Sequence, residues 1–258
     1  LTEHPAPSAR WLAAGGHQTL DPFVALGAAA AVTTRIRLLT YLAVIPYRNP
    51  MLLAKAATTV DRLSNGRFVL GAGAGYLKSE FAALGVAFDE RNGLFDEALD
   101  VLPLHWTGEP FSYEGRHFRA RDVQALPRPV QQPIPIWLGG NAKITLRRVA
   151  ERCQGWMPLL GSGELLATTR TPSAGSADDI ARTIAQLRRD AAHRDVELDF
   201  VLAYTDASSA SPRADVERHR EAFGRIAEMG VTWIVVNRPT APRAEVLEFI
   251  DAFGDTYL

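Results

Sequence analysis

A chain of 258 residues is close to the roughly 250 that one (β/α)8 barrel needs, and it can bury a single full core. Its 28 basic and 29 acidic residues leave a net charge of −1, so no field of one sign exists to hold nucleic acid or an anionic membrane. A lone cysteine, Cys153, excludes an intrachain disulfide and a thiolate metal cage. No apolar run reaches the roughly 18 residues of a spanning helix and no signal-peptide pattern opens the chain. A soluble cytoplasmic protein is expected.

Leu1 stands where Met would begin a complete protein. Residues 22–32 (PFVALGAAAAV) read as a helix whose preceding strand ends near Leu1. Residues 35–46 (RIRLLTYLAVIP) are β-branched and apolar, and after Asn49-Pro50 the apolar positions shift to Leu52, Leu53, Ala56, Ala57, Val60 and Leu63. That change of period predicts strand, then helix, with Asn49 as cap, Pro50 in the first turn and Ser64-Asn65-Gly66 as exit. Residues 67–70 form a short strand running into Gly71-Ala72-Gly73-Ala74-Gly75, followed by helical spacing at Phe81 and Leu84 and at Leu94, Leu99 and Leu102. Residues 107–135 break the rhythm with five prolines. They read as an excursion, either a lid or partner surface or a packed crossing arm.

Beyond it, residues 134–138 predict a strand meeting Gly139-Gly140, with a helix through Leu146, Val149 and Ala150. A strand follows at 156–160, then a helix at 178–192 opened by a capping box on Ser176, then a strand at 200–204. Ser211-Pro212 is read as the start of a helix through Val216, Phe223, Ile226 and Met229, ending at Gly230; residues 231–236 (VTWIVV) and a last helix through Ile250 complete the series. Strands that are continuously apolar and alternate with helices imply a parallel sheet with right-handed crossovers. The fold class expected is α/β, a TIM (β/α)8 barrel, one domain over 1–258 with its excursion at 107–135. About one and a half βα units are expected ahead of Leu1.

In such a barrel the chemistry sits at the C-terminal ends of the strands. Gly71 to Gly75 has the setting of a dinucleotide fingerprint but not its spacing, since Tyr76 stands where the third glycine belongs. Its glycines suit either a stacked ring or tight strand-to-helix packing. Gly139-Gly140-Asn141 opens a helix bearing Lys143, Arg147 and Arg148. That turn is either a phosphate seat at a helix N-terminus or an ordinary βα turn with Asn141 as cap. Of six histidines, His4 and His17 fall where barrel chemistry is expected; His193 and His219 read as helix-surface residues. His4 suits a proton donor. No Ser-His-Asp order, carboxylate pair or metal-spaced cluster is present, which also weakens a phosphosugar isomerase or aldolase reading.

The stretches TEHPAPSARWLAAGGH, YLAVIPYRNPMLLAKAATTVDRLSNGRFVLGAGAGY, RPVQQPIPIWLGGN and LRRVAERCQGW resemble the luciferase-like monooxygenase family, which includes bacterial luciferase and enzymes that use the deazaflavin coenzyme F420. The likeness runs from Thr2 to about Pro158; the later third matches in rhythm. The resemblance implies that Glu3 and His4 contact a cofactor ring. It also implies that Tyr41, Leu42 and Ala43 form a bulge with a non-proline cis peptide behind the ring. Ala74, Gly75 and Tyr76 would flank the ring, and Gly139, Gly140 and Asn141 would meet the phosphate. His4 would be the catalytic residue and His17 would face substrate. Some deazaflavin dehydrogenases of the family have a glutamate at the position of Tyr76, so their acid–base scheme does not transfer. The WLAAGGH loop and IPYRNP turn resemble most the members presumed to use F420, which makes hydride transfer with F420 the leading expectation. The alternatives are an FMN-dependent monooxygenase served by a separate flavin reductase, and a non-catalytic flavin-binding protein. Homodimers are common among relatives, and the sequence leaves the oligomeric state open.

Overall fold

Segments patterned as strands fall into parallel register in the computed structural model, which describes residues 1–238 and 241–258. A short helix α1 (Ala9–Ala13) precedes α2 (Pro22–Val32), where Asp21 accepts from the N–H groups of Phe23 and Val24. The first strand position holds two pieces, β1 (Leu38–Leu39) and β2 (Ala43–Val44). Then come α3 (Pro50–Leu63), capped by Asn49, β3 (Phe68–Gly73), α4 (Lys78–Ala83) and the long α5 (Arg91–Thr107). The excursion holds β4 (Phe111–Glu114) and β5 (Arg119–Val123), an antiparallel hairpin. The remaining elements are β6 (Ile136–Gly139), α6 (Lys143–Arg152), β7 (Gly155–Met157), α7 (Gly163–Thr169), α8 (Ala177–Asp190), β8 (Asp199–Tyr204), α9 (Val216–Glu228), β9 (Trp233–Val236) and α10 (Arg243–Tyr257).

The sheet order is β1 and β2 on β3, then β6, β7, β8 and β9, parallel at every pairing. Side chains alternate across it, as the two-residue period of a strand requires. Phe68, Leu70, Ile136, Leu138, Trp156, Phe200 and Leu202 enter the main core under the helices, whereas Val69, Trp137, Met157 and Val201 form a second cluster inside the curl. Arg37, just ahead of β1, lays its guanidinium 5.5 Å from the ring centroid of Trp233 in β9, and Trp233 lies 5.7 Å from Trp137. The two ends of the sheet are thus drawn toward each other, giving a curled, barrel-like parallel sheet. Beyond β1 the chain at Leu1 continues the pairing, its carbonyl accepting from the N–H of Tyr41 at 2.6 Å.

Several boundaries differ from those the sequence predicts. The run 35–46 is not one strand: its ladder partners step from Leu39 to Ala43 while β3 steps only from Val69 to Ala72, which is a one-residue bulge, and the Tyr41–Leu42 peptide within it is cis. The helix expected from Ser211-Pro212 begins instead at Val216. Asp206 and Ser208 hold the preceding segment in a 3-10 turn through Ser209 and Ser211. His219 is not a surface residue. It is buried, with Nδ1 2.7 Å from the Tyr204 hydroxyl and Nε2 3.2 Å from Ser208 Oγ.

The excursion packs against α3 and the start of α5. The fully buried Asp61 carboxylate on α3 accepts from the N–H of Val130 at 2.6 Å, the N–H of Gln131 at 3.1 Å and Gln131 Nε2 at 2.7 Å. The hairpin is fastened separately to the start of α5: His117 Nδ1 lies 2.6 Å from Glu97 and Nε2 2.9 Å from Glu90. With a carboxylate on each nitrogen, both nitrogens donate and the ring is an imidazolium. Its hydrogen bond to Glu90 is the main reason its pKa is raised from the ordinary 6.5. The bond to His117 lowers Glu90, and Glu97 is lowered although burial opposes it, because the N–H groups of His117 and Phe118 and the His117 ring donate to it. The imidazolium contribution is complete below pH 6.5 and is lost as pH rises through the raised value, while the carboxylate contributions are present above 4.5 and are lost as pH falls through the lowered values. Urea unfolding midpoints should therefore decline as pH is raised above 6.5, and His117→Gln should flatten that decline. Parallel profiles for the two proteins would contradict the assignment.

Candidate active site

The C-terminal ends of β2, β3, β6 and β7 open on one cleft with a cavity volume of about 400 Å³. Its first wall is the N-terminal segment. Glu3 and His4 both line it, but Glu3 is nearly inaccessible, its carboxylate accepting from the N–H of Val44 at 2.7 Å and from the Arg48 guanidinium. Its charge is thus engaged with the protein, and its role is to anchor the segment. His4 Nδ1 lies 3.1 Å from Oε2 of Glu80, a carboxylate with no solvent exposure. Glu80 also accepts from the Tyr47 hydroxyl at 2.8 Å and the N–H of Ala6 at 3.3 Å. An ionised carboxylate only accepts, so Nδ1 carries hydrogen and Nε2 is left free on a side chain that lines the cleft. Burial and the hydrogen bond to Glu80 push the Tyr47 phenol far above its ordinary value, so it remains a donor.

Three rings surround His4: Trp11 at 4.4 Å, His17 at 5.0 Å and Tyr76 at 6.0 Å between centroids. His17 sits outside the cleft lining, exposed at its rim, with Nε2 3.1 Å from Thr2 Oγ1. Its pKa is lowered, chiefly by partial burial.

The second wall is the bulge. Tyr41 and Leu42 line the cleft and pack on the inner cluster, whereas Ala43 is fully buried in the outer core and has no face on the cleft. Leu42 comes so close to the strand ends that a Cβ on Gly73 would lie 2.6 Å from one of its methyls, and a Cβ on Gly139 2.3 Å from the other. The glycines are there to admit Leu42. Ala74, Gly75 and Tyr76 continue the lining beyond β3.

The third wall is the start of α6. Gly140, at φ +109°, directs its N–H to the Met157 carbonyl at 3.1 Å, and its own carbonyl accepts from Trp156 Nε1 at 2.8 Å. Its amide is therefore not free for a ligand. Asn141 does not cap the helix. Its amide group joins two loops, donating to the carbonyls of Leu159 at 2.9 Å and Pro172 at 2.8 Å and accepting from the N–H of Leu159 at 3.0 Å. Ala142 occupies the cap position with no side-chain bond, and the first recurring helical bond is Leu146 N–H to Ala142. That leaves the amides of Lys143, Ile144 and Thr145 as the open donors, at the positive end of the helix dipole, with Ala142, Ile144 and Thr145 lining the cleft. Lys143 and Arg147 point the other way, into a groove shared with α8. Arg148 lines the cleft but is buried and bonded to Asp96 at 2.7 Å.

Sequence reading missed Glu80, Arg91 and Arg170, the last two lining the cleft beside α6. None follows a strand directly. Glu80 lies one residue before a core Phe81 in a helical pattern, and a carboxylate on the apolar side of a helix is a signal that could have found it.

Residues 7–251 match the family described as luciferase-like monooxygenase. A protein of Mycobacterium tuberculosis, Rv0953c, is 30% identical over 235 residues, covering 91% of this chain and 75% of its own. The F420-dependent glucose-6-phosphate dehydrogenase of Amycolatopsis mediterranei is 25% identical over 262 residues, covering 94% and 78%. Among solved structures, the monooxygenase RslO1 from Streptomyces bottropensis has the same fold at a TM-score of 0.71 and 22% identity, covering 92% of this chain and 82% of that one. The coenzyme F420 dependent tetrahydromethanopterin reductase from Methanopyrus kandleri has it at 0.67 and 18%, covering 92% and 86%. The chain belongs to the luciferase-like monooxygenase family, whose members are F420- or flavin-dependent oxidoreductases and monooxygenases.

Proposed function

We propose that this protein transfers hydride between the deazaflavin coenzyme F420 and an organic substrate, with the coenzyme phosphate at the N-terminus of α6 and His4 handling the accompanying proton. The observation that carries this reading is the His4–Glu80 pair. A buried carboxylate that fixes the tautomer of a cleft-lining imidazole is the arrangement general acid–base catalysis calls for.

The residues present fit such a group. A cavity of about 400 Å³ lies within the roughly 300–1,000 Å³ of small-molecule sites. Tyr41 and Leu42 would back a flat ring, and Glu3 and His4, with Ala74, Gly75 and Tyr76, would border it. The open amides of Lys143 to Thr145, aided by Arg91, would hold its phosphate. Gly140 would act on the phosphate by shaping the turn rather than by donating to it, with Gly139 and Asn141 on either side. The bound ring accepts or gives up a hydride; the protein supplies orientation and exclusion of water. With a hydroxylated substrate, His4 Nε2 would take the O–H proton as the substrate gives up its hydride, while Nδ1–H stays on Glu80. Reduction runs the same path backward. His17, at the rim, would meet the outer end of a substrate.

The runner-up is an FMN-dependent monooxygenase supplied by a separate reductase, which the structural likeness to RslO1 supports. A non-catalytic flavin carrier would have no use for the His4–Glu80 pair. Anaerobic titration followed by ring absorbance separates the first two: F420 should bind and shift its absorbance band, and FMN should not. Binding of FMN alone, with turnover only in O₂, would reverse the order.

His4→Gln should lower kcat by about 10²–10⁴ with coenzyme affinity within about twofold, and Glu80→Gln by at least about tenfold. The double variant should be little slower than His4→Gln alone, because groups that act as a unit are not additive. Full additivity, or unchanged kcat in His4→Gln, would show that the pair has no part in proton transfer.

A further inference from the structure

At the outer end of the cleft three cations gather on one ring. The Arg91 guanidinium lies 4.0 Å from the centroid of Phe88, Lys78 Nζ 5.1 Å and the Arg170 guanidinium 5.2 Å. Arg91 also donates to the Phe88 carbonyl at 3.0 Å. Among the described residues no carboxylate oxygen comes within the 4.0 Å of an ion pair for any of the three. Glu90, next to Arg91, is engaged by Arg116 and His117. Attraction to a shared aromatic face is weak at exposed sites and neutralises no charge. The pKa of Arg91 is lowered, by burial and by the charge of Arg170.

The platform under these cations is part of the fold. Phe88 stands edge-on to the fully buried Phe81 at 5.1 Å, and Phe81 to Tyr47 at 4.9 Å. Arg91 and Arg170 line the cleft, while Lys78 is exposed on α4. The charges therefore reach from the cleft lining out to solvent. Three cations on one ring, unpaired by carboxylates and partly lining the cleft, call for a ligand whose negative charge extends beyond a single phosphate.

We propose that Lys78 and Arg170, continuing outward from Arg91, dock the carboxylates of a lactyl-oligoglutamyl tail, the part of F420 that FMN lacks. The inference rests on the reading that the phosphate lies at the start of α6. FMN ends in its phosphate. The deazaflavin coenzyme continues through a phosphodiester to a chain with a carboxylate at each step, which guanidinium and ammonium groups pair with by charge-assisted hydrogen bonds. Each exposed pair contributes little and is screened by salt. The triad should thus grade tail length rather than decide binding outright.

The test is a fluorescence titration of the protein with three probes: F420 carrying several glutamyl residues, its phospholactyl form without glutamate, and FMN. The long-tailed form should bind about five- to tenfold tighter than the glutamate-free form at low salt, the preference fading at about 0.5 M salt. K78Q/R170Q, both changes at exposed positions, should abolish that preference and change the affinity of the glutamate-free form by less than about twofold, with its melting temperature serving as the folding control. Equal affinity of the two deazaflavin forms for the wild type would overturn the tail site and leave the coenzyme reading intact, as would equal weakening of both forms by the variant. Binding of FMN with neither deazaflavin form would overturn the coenzyme reading and the tail site together.

Discussion

The mouth of this barrel is organised by a carboxylate removed from water. Glu80, with no exposed surface, accepts from the His4 ring, the Ala6 N–H and the Tyr47 hydroxyl. These donors come from the N-terminal segment and from the turn after β2, so one side chain ties three parts of the chain together. A buried charge is tolerated only when its lone pairs are met by well-placed donors. The same requirement that stabilises Glu80 therefore fixes His4 in one position and one tautomer. Glu3 repeats the device one residue earlier, held by Arg48 and the N–H of Val44. Together they make the N-terminal segment a rigid wall of the cleft.

The opposite wall is fixed by packing. The bulge between β1 and β2 carries Tyr41 and Leu42 to the inner side of the sheet, and Leu42 is received by Gly73 and Gly139, which have no Cβ to obstruct it. Rigidity on both sides lets the cleft hold bound groups in fixed contact and keep water out. The third wall, α6, contributes direction. Its uncapped amides and the neighbouring guanidinium of Arg91 supply positive charge at one end only, so an asymmetric ligand has a single favourable orientation.

The parts of this arrangement that were legible in the sequence are those governed by local pattern. The parallel βα alternation, the caps at Asn49 and Ser176, and the strand end at Gly139 follow from periodicity and turn chemistry. What was misread depends on neighbours distant in the chain. Residues 35–46 are uniformly apolar, and nothing in them shows that β3 offers one partner too few. Asn141 has the identity of a cap, but Leu159 and Pro172 compete for its amide and win. His219 looks like a surface residue until Tyr204 and Ser208 close over it. Arg91 and Arg170 reach the cleft from the ends of helices rather than of strands, so a search confined to strand ends passes over them.

A crystal structure of the protein with bound F420 tests the central claim most directly. Phosphate oxygens should lie within hydrogen-bond distance of the Lys143 and Ile144 amides and of Arg91, the deazaflavin ring against Tyr41 and Leu42, and His4 Nε2 should face the reactive carbon. A phosphate bound elsewhere, or a ring out of contact with Leu42 and His4, would contradict it.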